Sequence, residues 1–175
     1  MRVLAAVLAF LVLFPVAAQG DTFVSNRFGF SADFPGTPAV GEPKPSETDS
    51  KGRTVADLVM IKSEVAGVYT AMVTVETYTV PTPIDVPSTL AAQSLGFVGG
   101  MEGVMSGVKS VKIDGFRARR FHYATPDKSA VGDGLVVIVT GRLPRIYLVL
   151  TMRTPQSSEE DAALLKAFIN SFHLQ

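Results

Sequence analysis

The sequence predicts an α+β domain, a three-layer α/β/α sandwich. It calls for a mostly antiparallel sheet of about six to seven strands with one helix on each face. Three observations lead there. Two late runs, Leu135–Thr140 and Ile146–Met152, are apolar without alternation, and a strand apolar on both faces is covered on both. Only Gly141-Arg142-Leu143-Pro144-Arg145 separates them, which forces an antiparallel hairpin. Two segments of helical character, opening near Ser88 and Ser157, are available as the covers.

The chain opens with Met1-Arg2, an apolar run from Val3 to Phe14, then Pro15 and the small-residue stretch Val16-Ala17-Ala18-Gln19-Gly20. One basic residue, a short apolar core and small residues at a cleavage point make a secretory leader over residues 1–20. The run is shorter than the roughly 18–20 residues that span a bilayer. Cleavage fits after Ala18, before Gln19, or after Gly20, before Asp21. The expectation is a periplasmic or secreted protein with one domain over residues 21–175. No cysteine is present. That excludes a lipid-modified cysteine, disulfides, thiolate metal sites and cysteine nucleophiles. A hydrophobic core alone must hold the fold.

Phe28, Phe30, Ala32 and Phe34 alternate as one face of a half-buried strand, stopped by Pro35-Gly36-Thr37-Pro38. Residues 41–54 are polar and proline-bearing and read as an exposed connection. Strands follow at Val55–Lys62 and Tyr69–Tyr78, turning near Ala66-Gly67. Thr79 to Pro87 is a loop. A helix capped by Ser88 is expected to run to about Met105. Lys109–Ile113 and Phe116–Tyr123 flank an Asp114-Gly115 turn, and Ala124–Asp133 reads as a loop. The last helix has capping-box spacing at Ser157 and Glu160, with Leu164, Leu165, Phe168, Ile169 and Phe172 recurring at helical intervals.

Three segments together resemble the PsbP-like family. Asn26 to Pro38 (NRFGFSADFPGTP) is similar to its first strand and Pro-Gly turn. The middle helix leading into Ile113-Asp114-Gly115-Phe116 is similar to its crossover, and Lys166 to Leu174 to its terminal helix. The resemblance implies an α/β/α sandwich and, from the family's photosystem accessory, Ran-binding and exported bacterial members, contact with a partner instead of catalysis. The matching residues are core and turn residues, so they speak to fold more than to activity.

No nucleophile elbow, zinc motif, P-loop or dinucleotide fingerprint occurs, and no cofactor or metal is called for. Sixteen basic residues balance sixteen acidic ones, so no global field favours nucleic acid or an anionic membrane, and no later stretch is long enough to span one. Two surfaces stand out. Phe116 to Tyr123 is the densest basic stretch. On a strand, Arg117 and Arg119 share a face with Phe121 and Tyr123, while Arg120 and His122 take the other. It is either an anionic-partner surface or a solvated strand. In the middle helix, Leu90, Phe97, Val98, Met101, Val104 and Met105 gather on one stripe. Ala92, Gly96, Gly99, Gly100, Gly103 and Gly107 gather on another. Each interior glycine costs about 1 kcal/mol, so the glycine face is either a close-contact surface for a second subunit (a homodimer), a partner segment or a flat ligand, or a fraying helix end.

The leading expectation is an exported, non-catalytic domain that binds an envelope protein or small ligand through Arg117, Arg119, Arg120, His122, Gly96, Gly100 and Gly103. The alternatives are an envelope hydrolase built from scattered carboxylates and His122, and a carrier of a small apolar molecule with Met101 and Met105 in its pocket.

Overall fold

The computed structural model describes residues 22–48, 50, 52 and 54–175; the expected leader and its cleavage points lie outside the described residues. The elements run β1 (Thr22–Ser25), β2 (Phe30–Asp33), β3 (Ala39–Val40), β4 (Lys44–Thr48), β5 (Thr54–Val65), β6 (Tyr69–Tyr78), α1 (Val86–Gly100), β7 (Val104–Ile113), β8 (Phe116–Ala124), β9 (Val131–Val139), β10 (Arg145–Arg153), α2 (Glu159–Asn170) and β11 (His173–Leu174). The large sheet has the order β3-β5-β6-β10-β9-β8-β7, with β4 also on the outer side of β5. All its pairings are antiparallel. A small sheet has the order β1-β2-β11. The sequence count of six to seven strands misses the short ones: among the described residues, the large sheet alone has eight.

The non-alternating strands are central, and each feeds two cores. Along β10, Tyr147 and Val149 join one hydrophobic cluster while Ile146 and Leu150 join another. Side chains alternate along a strand, so the two clusters occupy opposite faces of the large sheet. The first cluster includes Leu165, Phe168 and Ile169 of α2 and the small sheet's Phe30 and Ala32. The second includes Leu90 and Val98 of α1. Fully buried Phe30, Phe34, Phe168 and Phe172 anchor the first, each burial worth about 1.5–3 kcal/mol. The Tyr147 hydroxyl donates to the Phe28 carbonyl at 2.5 Å.

Several boundaries differ from the sequence reading, each for a local reason. Phe28 is buried as expected but sits in a turn; Gly29, with φ of +66°, lets the chain reverse before β2. Residues 44–48 form a strand where a connection is expected. Its proline, Pro45, and its polar side chains suit an edge strand. It is tied down by Ser46, which donates to Glu76 at 2.7 Å, and by Tyr78, which donates to Glu47 at 3.0 Å.

The middle helix is capped by Asp85, not Ser88: the Asp85 carboxylate accepts the Ser88 N–H at 3.1 Å. It ends at Gly100 instead of Met105. Glu102 takes φ of +54°; its N–H reaches Gly99 O at 3.0 Å, and the Gly103 N–H reaches Val98 O at 2.9 Å. That is a Schellman stop with a glutamate in the left-handed position. The last helix uses the next residue over, with a capping box of Ser158 and Asp161. His173 is in β11, paired with Ser31, instead of ending the helix.

Candidate functional site

The β7–β8 hairpin is set by Asp114 and Gly115, with φ of +47° and +86°, the two left-handed positions of a type I′ turn. That turn fixes Lys112 opposite Arg117 and Ser110 opposite Arg119. Alternation puts all four on the face that carries Phe121 and Tyr123, the face packed by α1. Further from the tip, a bulge between Ser106 and Lys109 absorbs an irregularity. Gly107 sits there at φ of +59°, where a Cβ would stand 2.5 Å from His122.

Between this end of the hairpin and the first two turns of α1 lies a groove of about 630 Å³, the size of a ligand pocket. Pro87 and Leu90 form an apolar wall; Ser110, Lys112, Arg117 and Arg119 line the polar side. A smaller hollow of about 220 Å³, with Val86, Phe116 and Thr140, shares Arg117. Among the described residues, neither Lys112, Arg117 nor Arg119 is in an ion pair with a carboxylate. Among the described residues, buried Arg119 Nε has no hydrogen-bond partner. A buried donor left unpaired costs about 1–3 kcal/mol. The arrangement can hold an oxyanion, with the guanidiniums offering paired N–H donors.

The sequence candidates separate in space. Arg117 and Arg119 share the groove. Arg120 is on the other face, where its Nη2 donates to Asn170 Oδ1 at 2.6 Å and Ile169 O at 3.4 Å, closing the C-terminal end of α2. His122, also on that face, pairs through Nδ1 with Asp133 Oδ1, its cross-strand neighbour. Asp133 lies in β9, not in a loop. Among the described residues, no group of three or more His, Cys, Asp or Glu side chains is placed to hold a metal.

The glycine stripe does not survive as one surface. Gly96, Gly99 and Gly100 lie on α1, where a Cβ would meet nothing within 4 Å. Gly103 belongs to the stop after the helix, where a Cβ would stand 3.2 Å from both Val98 and the Ala124 carbonyl, and Gly107 to the β7 bulge. Val104, expected in the bulky stripe, is exposed in β7.

Sequence reasoning missed Ser110 and Lys112 as groove residues. The signal was present: an Asp-Gly hairpin turn dictates which residues oppose Arg117 and Arg119. The Pro87–Leu90 wall carried no such signal, since it comes from how α1 docks.

A large antiparallel sheet with two helices and a small sheet closing one side is a PsbP-like fold. The chain superposes on the solution structure of cyanobacterial PsbP (CyanoP) from Synechocystis sp. PCC 6803 with a TM-score of 0.55, over 90% of this chain and 94% of that one, at 13% identity. At that identity the likeness concerns the fold. No family model matches the sequence, and no curated protein matches it.

Proposed function

We propose that this chain is an exported, non-catalytic module that binds a protein partner of the cell envelope through the groove between α1 and the β7–β8 hairpin. One observation carries it: Lys112, Arg117 and Arg119 converge beside an apolar wall without an acidic partner among the described residues. Cations placed beside one another repel unless something anionic joins them, and an acidic, partly apolar surface is the complement. The leader pattern of residues 1–20 supports a periplasmic or secreted location. A three-layer α/β/α sandwich over residues 21–175 belongs to the same reading. It is supported by the two hydrophobic clusters, each containing side chains of one helix.

The test has two arms. N-terminal sequencing of the exported chain should start at Gln19 or Asp21; recovery of the full-length chain in the cytoplasm alone would overturn export. Crosslinking in the envelope should capture a partner with the wild type and lose it with the double reversal Arg117→Glu/Arg119→Glu. The reading fails if the reversed protein, still folded, captures the same partner. It fails equally if purified protein turns over a substrate and His122→Ala abolishes the turnover, since the His122–Asp133 pair is what a hydrolase would use.

A further inference from the structure

Resting on that reading, we infer that the groove receives an extended acidic peptide segment whose carboxylates stand two residues apart, as in Glu-x-Glu or Asp-x-Glu, with an apolar neighbour against Pro87 and Leu90. The spacing comes from β8. Arg117 and Arg119 are next-but-one neighbours on one strand and share a face, so their stems leave the sheet about 7 Å apart. An extended ligand repeats its own same-side positions at that interval, so two carboxylates meet two guanidiniums without bending the peptide.

The cross-strand pairs extend the match sideways. Lys112 opposes Arg117 and Ser110 opposes Arg119, their backbones about 5 Å apart. The first carboxylate is therefore held between two cations. The second finds Arg119 and Ser110, both of which line the groove. A carboxylate in the groove would meet the groove-lining part of the Arg119 guanidinium in a charge-assisted hydrogen bond. Intervening side chains of the peptide point the other way, and a flanking one is positioned for the apolar wall. An anionic membrane surface is a poorer complement: the cations are three, they line a recess, and the whole chain carries no net charge.

The experiment is fluorescence anisotropy on the intact domain with two labelled peptides of one composition, Leu-Glu-Ser-Glu and Leu-Glu-Glu-Ser, at low and high salt. The alternating peptide should bind at least roughly tenfold tighter, because adjacent carboxylates on an extended chain point to opposite sides. Arg119→Gln should erase the preference, Arg119→Lys should restore only part of it, and Lys166→Gln, an exposed charge removed on α2, should leave it intact. Thermal melts exclude unfolding of the variants. Equal affinity for the two peptides overturns the spacing. So does binding to vesicles of anionic phospholipid with neither peptide bound. If neither peptide binds while capture of the envelope partner still depends on Arg117 and Arg119, the acidic-segment inference fails and the groove reading stands.

Discussion

The ring of Phe121 lies across the bare backbone of Gly134, its directly opposite residue in β9: a Cβ there would stand 2.0 Å from Phe121 Cζ. The next pair repeats the device. Tyr123 faces Gly132 and passes its hydroxyl across to the Thr151 carbonyl at 2.8 Å. These glycines let two aromatic rings lie flat beneath α1, where Phe97 meets Tyr123 edge-on. Gly134→Ala is therefore expected to cost about 2–3 kcal/mol, since the buried ring has nowhere to move. Thermal melting should show a fall of roughly 5–10 °C; an unchanged melting temperature refutes the account.

Tyr123→Phe removes one buried hydrogen bond and should cost about 1 kcal/mol near neutral pH. Burial first, and the Asp133 charge second, push the Tyr123 phenol above its ordinary 10.0. The folded state thus favours the protonated phenol. Its contribution is fully present below pH 10 and is lost as pH rises beyond that. Denaturant titrations at pH 8 and pH 11 should show the gap between wild type and Tyr123→Phe narrowing at the higher pH. A gap independent of pH counts against it.

Glu76, like Tyr123 a neutral acid that titrates to an anion, shifts in the same direction. Burial raises its carboxyl above the ordinary 4.5, the Ser46 hydrogen bond pulls it partly back, and the Glu47 charge adds to the rise. A raised folded value means that stability from the neutral acid is present below about pH 4.5 and lost as pH rises through the folded value. Glu76→Gln keeps an acceptor for Ser46 and removes the buried charge. It should stabilise by up to about 1 kcal/mol at pH 7 and change little at pH 4. Destabilisation at neutral pH would show that the ionised carboxylate anchors β4.

The end of α1 gives a paired measurement. Glu102→Gly relieves a left-handed glutamate and should stabilise by about 0.5–1 kcal/mol. Gly96→Ala, where a Cβ meets nothing, should gain about as much, whereas Gly103→Ala should lose stability against Val98 and Ala124. If the outer face of α1 joins two copies of the chain, Gly96→Ala will stabilise the monomer yet weaken association in sedimentation. A variant that is more stable and associates unchanged removes the helix face from consideration.

Legibility followed the range of the interactions. Tyr69–Tyr78 matches the observed strand end for end, because a long β-rich run between turns needs no outside help. The Asp114-Gly115 turn is equally plain, and the shared face of Arg117 and Arg119 follows from strand alternation. The middle helix was read too long because its apolar stripe ran on through Val104 and Met105 at helical spacing. The tertiary structure spends those residues on β7, after a stop that Glu102 makes without a glycine. β4 was illegible for the opposite reason: its pairing partner and its Glu76 and Tyr78 anchors lie elsewhere in the chain.

By itself the sequence determined the strand and helix inventory of the core, the antiparallel β9–β10 hairpin, and the facing of Arg117 and Arg119 away from Arg120 and His122. All of these follow from local periodicity and turn chemistry. Only the tertiary structure decided that Arg120 closes α2, that His122 meets Asp133, and that Pro87 and Leu90 wall a groove over Lys112, Arg117 and Arg119. The Arg120 contact and the groove wall are set by how helices dock on a sheet, and the His122–Asp133 pair by the register of β8 on β9, none of which local spacing encodes.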